Sequence, residues 1–294
     1  MDIKDIRKNI DGVDAEIVRL FQERMKLSGE IAAYKKDNEL PIKDEARENA
    51  KLEEIAKMAD EDMATYCRML YNNIMEMSRD YQRRVIQRGV NMLGVLEEAY
   101  ENTPAMPPDS ESIACHGEQE PYCRQACVKF FGNDDHIQYF EDLEDIFAAV
   151  ESGECKYAVI TIGRHIDVSN RVYEMLAENN CYIVRSTVTA GGMRFVCISK
   201  DLEIYRGADR TCLMLRVPDV PGALYGVLDK FYALGLNVSK MKSWTAPDDE
   251  EDLMFCFDVE TPFDSDSFRN MISQVSHAEQ EYVYLGSYME MTNE

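Results

Sequence analysis

From Ile3 to about Lys36 the apolar residues Ile3, Ile6, Ile10, Val13, Ile17, Leu20, Phe21, Leu27 and Ile31 recur at steps of three and four. That spacing predicts one long amphipathic helix. At 1.5 Å per residue it runs about 50 Å. The run Asp37-Asn38-Glu39-Leu40-Pro41 interrupts it. A second helix is predicted over about Ile42–Met58, and a third from Asp60–Glu61 towards Tyr100. Three helices of such unequal length do not enclose a core alone, so an intertwined homodimer is expected to cover the stripe.

Beyond the proline-rich, polar stretch Asn102–Ser112, read as a linker, the pattern changes. Short apolar strands (Ile113–Cys115, Ile137–Phe140, Tyr157–Ile162, Tyr182–Arg185, Arg194–Ser199) alternate with helical stretches (Tyr122–Phe131, Leu143–Glu151, Ser169–Asn179), which predicts an α/β layer. The last stretch reads strand Thr211–Val217, helix Gly222–Leu234, strand Asn237–Trp244, acidic turn Asp248–Asp252, strand Leu253–Val259, helix Ser265–Val275 and strand Tyr282–Ser287. This βαββαβ order is that of a ferredoxin-like α+β sandwich. The expected organisation is multidomain: an all-α three-helix unit over 1–101, a linker over 102–112, a single α/β lobe over 113–205 and the α+β unit over 208–294.

Composition narrows the class. The chain has 294 residues, 45% of them hydrophobic, enough for two or three cores. No apolar run approaches a membrane span, and the start Met-Asp-Ile-Lys-Asp lacks a signal-peptide core, so a cytoplasmic protein without membrane contact is expected. The nine cysteines include no C-x-x-C pair and the four histidines lie far apart, so free thiols are expected and no metal site. A formal charge of −23 argues against nucleic acid. Residues 1–50 nevertheless hold ten Lys/Arg against twelve Asp/Glu, so cations concentrate on the first helices.

Eight polar residues there form a constellation: Arg7, Arg24, Lys35, Asp44, Arg47, Glu48, Ser78 and Gln82. Arg24 and Lys35 are eleven positions apart, within about 20° of one helix face. Asp44, Arg47 and Glu48 sit at steps of three and four, as do Ser78 and Gln82 at a step of four. Arg7 is more than roughly 25 Å along the helix from Arg24, so one pocket uses both only if the helix is broken or Arg7 comes from a partner chain. Four cations, two carboxylates, a hydroxyl and an amide suit a small doubly anionic molecule.

In these positions, residues 1–90 resemble the all-helical class of chorismate mutase. Its motif of a helix-borne Arg, then Arg and Lys on the same helix, D-x-x-R-E after a proline loop and S-x-x-x-Q on the last helix is filled here by Arg7, Arg24, Lys35, Asp44-Glu45-Ala46-Arg47-Glu48 and Ser78-Arg79-Asp80-Tyr81-Gln82. The resemblance implies chorismate as substrate and a Claisen rearrangement to prephenate, a pericyclic step that uses no cofactor or metal. It also implies roles. Arg24 and the partner's Arg7 hold carboxylates with help from Ser78, Lys35 and Gln82 donate to the ether oxygen, Glu48 accepts from the substrate hydroxyl, and Asp44 and Arg47 shape the pocket.

The order of the pieces resembles the bifunctional chorismate mutase/prephenate dehydratase family. Matching segments are His116-Gly117-Glu118-Gln119-Glu120-Pro121-Tyr122, Phe147–Gly153, Tyr157–Ile162, Val168–Tyr173 and Met193-Arg194-Phe195. Departures stand at Cys123 for the family's Ser, at Ile162-Gly163-Arg164-His165 for I-E-N-S, and at Met193 for the Thr of T-R-F. Only a few residues separate Tyr182–Ser186 from Gly191–Phe195, too few for the family's second lobe, so dehydratase activity is expected to be absent.

The last unit resembles an ACT regulatory domain through Gly222-Ala223-Leu224-Tyr225. Asn237 and Ser243 are further candidates for an effector site, and phenylalanine would be its ligand. The E-S-R-P motif reads Lys242-Ser243-Trp244-Thr245, which favours a structural or dimerising role. The main expectation is an active mutase, as a homodimer or a tetramer. One alternative keeps both activities, and a second is a non-catalytic, aromatic-amino-acid-sensing or partner-binding regulator.

Overall fold

The computed structural model describes residues 2–86, 91–107, 111–117, 121–162, 166–189, 192–247, 249–275 and 282–291. The motif positions Glu118–Glu120, Gly163–His165 and Gly191, and Asp248 of the acidic turn, lie outside the described residues. The chain divides into two compact units, one up to Asn91 and one from Met92 onward.

The first unit holds α1 (Ile3–Asp37), α2 (Glu45–Met58) and α3 (Ala64–Ile86). Lys35 and Lys36 in the last turn of α1 favour its negative end. The chain then reverses through Glu39, at φ 53°, ahead of Pro41. The Asp44 carboxylate accepts from the Arg47 N–H at 3.1 Å and caps α2. Arg24 lies beside Ser78, Gly29 beside Tyr81 and Lys36 beside Ile86, so α1 and α3 run in the same direction. Few side chains are buried: Ser28, Ala32, Ile55, Met75, Ser78, Gln82 and Arg83. The stripe Ile3, Ile6, Ile10, Val13, Ile17, Leu20 remains 40–59% exposed.

The helix expected to continue towards Tyr100 is two helices. α3 ends at Ile86, and a separate α4 (Met92–Asn102) groups with the second unit. Its apolar face decides this: Leu96 is fully buried with Ile204, Phe263 and Phe268, and Tyr100 stacks on Phe263 with ring centroids 4.6 Å apart. The stretch expected to be a linker is anchored in the same unit. The Thr103 hydroxyl oxygen accepts from the Ile204 N–H at 3.0 Å, and Met106 sulfur accepts from Arg185 at 3.6 Å.

The remaining elements are β1 (Ile113–His116), α5 (Pro121–Phe131), β2 (Ile137–Phe140), α6 (Leu143–Ser152), β3 (Tyr157–Thr161), α7 (Ile166–Glu178), β4 (Tyr182–Val188), β5 (Arg194–Ser199), β6 (Arg210–Pro218), α8 (Ala223–Ala233), β7 (Asn237–Ala246), β8 (Asp249–Glu260), α9 (Asp266–Val275) and β9 (Tyr282–Met291). The α/β and α+β parts, expected as separate domains, share one mixed sheet ordered β2-β1-β3-β5-β4-β9-β6-β8-β7. The parallel pair β4–β9, with Arg185 opposite Met289, joins them. The last four strands are antiparallel throughout and give the βαββαβ sandwich. At the seam Gly286, at φ 132°, comes so close to the backbone of Ile183 that a Cβ there would overlap its carbonyl.

Candidate active site of the helical unit

The seam between α1 and α3 gathers polar groups in a place otherwise sealed by Ala32 and Met75. Arg24, Ser28 and Ala32 follow one another by four on α1, and Met75, Ser78 and Gln82 follow by three and four on α3, so both helices turn one face to the seam. Arg24 Nη1 donates to Ser78 Oγ and, at 3.4 Å, to the Ile74 carbonyl. Ser78 Oγ donates to the same carbonyl at 2.7 Å. The guanidinium is thereby aimed by a neighbouring helix. Burial lowers the pKa of Arg24 from its ordinary value, against the raising influence of Tyr71 and Glu48; an arginine stays cationic all the same. One turn beyond Ser78, Gln82 is 6% exposed and its Oε1 has no hydrogen-bond partner among the described residues.

The other candidates surround this seam at differing distances. Lys35 Nζ donates to the Ile42 carbonyl and pins the end of α1 to the loop before α2. Glu48 is paired with Arg79 of α3 and lies near enough to act on Arg24. Asp44 is the cap of α2 and the Arg47 side chain is exposed. Arg7 is exposed on the same straight helix as Arg24, seventeen residues earlier, or about 25 Å away, so the two do not meet within one chain. Sequence spacing missed Ser28, whose hydroxyl donates to the Arg24 carbonyl at 3.1 Å, and Arg79, the counter-ion of Glu48. Ser28 is legible afterwards as the residue four beyond Arg24. The pairing of Arg79 crosses two helices and has no signal in linear spacing.

In the second unit the arginine of Met193-Arg194-Phe195 is committed to structure. Its Nη1 contacts Asp258 at 2.6 Å, Nη2 donates to Tyr288 OH at 2.9 Å and Nε donates to Ser186 Oγ at 2.9 Å. Tyr288 OH also donates to Asp258 at 2.7 Å, which closes a buried network across β4, β5, β8 and β9. A cavity of about 300 Å³ opens beside it, lined in part by Tyr173, Val188, Lys240 and Lys242. Where the family's second lobe would lie, β4 pairs directly with β5, antiparallel. Cys123 is buried under the sheet.

The effector candidates are dispersed over the last sandwich. Gly222, at φ 90°, turns the chain into α8, and Ala223 and Leu224 are half-buried in its first turn. Asn237 donates to Glu260 at 2.7 Å, and Ser243 is exposed on the edge strand β7.

Fold and site together define a helical mutase-type domain followed by a dehydratase-type α/β domain. Residues 6–83 match the family Chorismate mutase type II, and residues 113–204 match Prephenate dehydratase. A bifunctional chorismate mutase/prephenate dehydratase of Aquifex aeolicus is 22% identical over 376 positions, which cover 98% of this chain and 98% of the relative. The alignment is longer than this chain of 294 residues, so part of the relative lies opposite gaps here. The protein of the same name from Escherichia coli (strain K12) is 27% identical over 207 residues, 67% of this chain and 50% of the relative. The chain therefore carries a Chorismate mutase type II domain followed by a Prephenate dehydratase domain, and over nearly all its length it is similar to a relative named bifunctional chorismate mutase/prephenate dehydratase.

Three solved structures share the fold over about three fifths of this chain. A prephenate dehydratase from Streptococcus mutans has a TM-score of 0.53 at 20% identity, covering 63% of this chain and 100% of that one. One from Arthrobacter aurescens in complex with L-Phe has 0.51 at 15%, covering 60% and 89%. GqqA, described as a quorum quenching acylase, has 0.52 at 23%, covering 61% and 95%. No helix among the described residues is long and apolar enough to cross a membrane.

Proposed function

We propose that the helical unit converts chorismate to prephenate in a site completed by a second copy of the chain. The observation that carries this reading is the seam of Arg24, Ser78 and Gln82. It holds a guanidinium fixed by another helix beside a buried amide whose oxygen end has no hydrogen-bond partner among the described residues. An orphaned buried polar group costs roughly 1–3 kcal/mol, a cost offset where a ligand supplies the bond. A side-chain amide can flip, so the same end of Gln82 can offer either an acceptor or a donor.

The rearrangement asks for no nucleophile and no proton transfer. It asks for a dicarboxylate held in its reactive fold and for donors where the breaking ether bond gathers negative charge. Arg24, assisted by Ser78, and the partner chain's copy of Arg7 bind the carboxylates. Lys35 and Gln82 face the ether oxygen, which requires Lys35 to leave the Ile42 carbonyl for the substrate. Glu48, its charge balanced by Arg79, accepts from the substrate hydroxyl, and Asp44 and Arg47 fix the start of α2 around it. The exposed stripe on α1 is the surface a second copy covers, with assembly to a tetramer a further step.

For the second unit the names of the relatives favour the alternative, a bifunctional chain that also dehydrates prephenate. The opposite expectation, that this step is absent, rests on Cys123, Ile162-Gly163-Arg164-His165 and Met193 and on the few residues between Tyr182–Ser186 and Gly191–Phe195; the ion pair of Arg194 with Asp258 and the β4–β5 hairpin agree with it. The last sandwich we assign to the ACT type, with a structural role or with phenylalanine as effector; one fold relative is described in complex with L-Phe.

Purified protein incubated with chorismate separates these readings. Prephenate that accumulates without phenylpyruvate is the outcome for a mutase alone. Phenylpyruvate is the outcome for the bifunctional alternative. Unconsumed chorismate would contradict the mutase and leave the regulator.

A further inference from the structure

The fold brings together three cysteines that sequence spacing left unconnected. Cys115 lies on β1, and Cys123 and Cys127, four apart, lie on the face of α5 that packs over the sheet. Their three sulfurs all lie within 4.8 Å of one another, with Cys115 and Cys127 at 3.3 Å. None of the three residues is more than 1% exposed. Around them are Phe130, Val159 and Phe195, with the buried thiol of Cys197 in the same core cluster; among the described residues the sulfurs of Cys115, Cys123 and Cys127 are the ones close enough together to share one ion.

We propose that Cys115, Cys123 and Cys127 form a trithiolate site for one thiophilic d10 cation, Zn(II) or Cu(I). At a metal–sulfur distance of about 2.3 Å, three sulfurs around one cation stand about 3.8–4.0 Å apart, so the observed triangle needs shifts of under about 1 Å. Soft thiolates select these metals over hard cations. Binding expels thiol protons to solvent and leaves the oxidation states of sulfur and metal unchanged, so no oxidant takes part. Cys123 is the third residue of α5, where the positive end of the helix favours a thiolate.

A second close pair provides an internal control. Cys212 and Cys256 are also 3.3 Å apart and buried, on β6 and β8, but among the described residues no third cysteine, histidine or carboxylate joins them in a metal-sized cluster.

The test uses the full chain, reduced and freed of metal, titrated separately with Zn(II) and Cu(I) against chromophoric chelators of known affinity, and with Co(II) as a spectroscopic stand-in for zinc. The expected result is one equivalent bound, with sulfur-to-cobalt charge-transfer absorption, lost in Cys127→Ala and kept in Cys212→Ala. Cys123→Ala, which leaves the 3.3 Å pair intact, is expected to lower affinity by at least tenfold. A binding curve unchanged by both Cys123→Ala and Cys127→Ala would overturn the proposal. So would a Cys115–Cys127 disulfide, seen by mass spectrometry, as the only chemistry of the cluster. Circular dichroism of each variant before titration separates lost binding from lost folding.

Discussion

Lys35 is bound to a backbone carbonyl in the free chain and is assigned to the ether oxygen when substrate is present. A donor aimed at charge that appears only in the transition state acts mainly on turnover. Lys35→Ala is therefore expected to lower kcat by roughly a hundredfold or more, with a smaller change in KM. Steady-state rates of chorismate loss check this, and near-normal turnover would remove Lys35 from the role. In the proposed site Gln82 is assigned to the same oxygen from the other helix, and its buried amide oxygen, without a hydrogen-bond partner among the described residues, is the feature that supports a ligand at the seam. Spacing placed Arg24 with Lys35, and Ser78 with Gln82, on shared helix faces, because a helix brings residues four and eleven apart to one side; that the two pairs form one set rested on the resemblance to the helical chorismate mutases. Spacing could not show that Glu48 has Arg79 as its counter-ion or that Asp44 is first of all a helix cap. Those depend on which helices meet and on local backbone geometry.

Among the elements, the short antiparallel pair β4–β5 and the parallel pair β4–β9 make the α/β and ferredoxin-like parts one body. The period-two strands and the turns between them were legible to within a few residues, since alternation and turn residues report local structure. That β4 and β9 would pair was not, because pairing between strands about a hundred positions apart leaves no local signature. The same holds for the break between α3 and α4, where the buried face of Leu96 and Tyr100, rather than propensity, sets the allegiance of residues 92–102. Arg194 is the electrostatic pin of the joined sheet. Arg194→Ala leaves Asp258, 3% exposed, without its cation and is expected to destabilise the second unit by about 3–5 kcal/mol. Removing Asp258 as well should recover part of that loss. Denaturant melts of the two variants check this, and a single-variant change within about 0.5 kcal/mol, the range of surface substitutions, would contradict it.

For the whole molecule, the central claim is that one chain cannot furnish the mutase site. Along a straight α1 the guanidinium of Arg7 is about 25 Å from that of Arg24, and the apolar stripe around it is open. A second α1 laid against the first would cover Ile3, Ile6, Ile10 and Val13 and carry Arg7 to the other chain's seam. This arrangement makes a directional demand that no self-contained site makes. Two inactive variants, Arg7→Ala and Lys35→Ala, are unfolded together and refolded as mixed dimers. One of the two sites in each mixed dimer then carries both substitutions and the other carries neither. Recovery of chorismate mutase activity to about a quarter of the wild-type level, from half of the dimers having one intact site, is the result expected of random pairing. Activity that stays at the level of the separate variants, with mixed dimers verified by mass, would contradict the shared site.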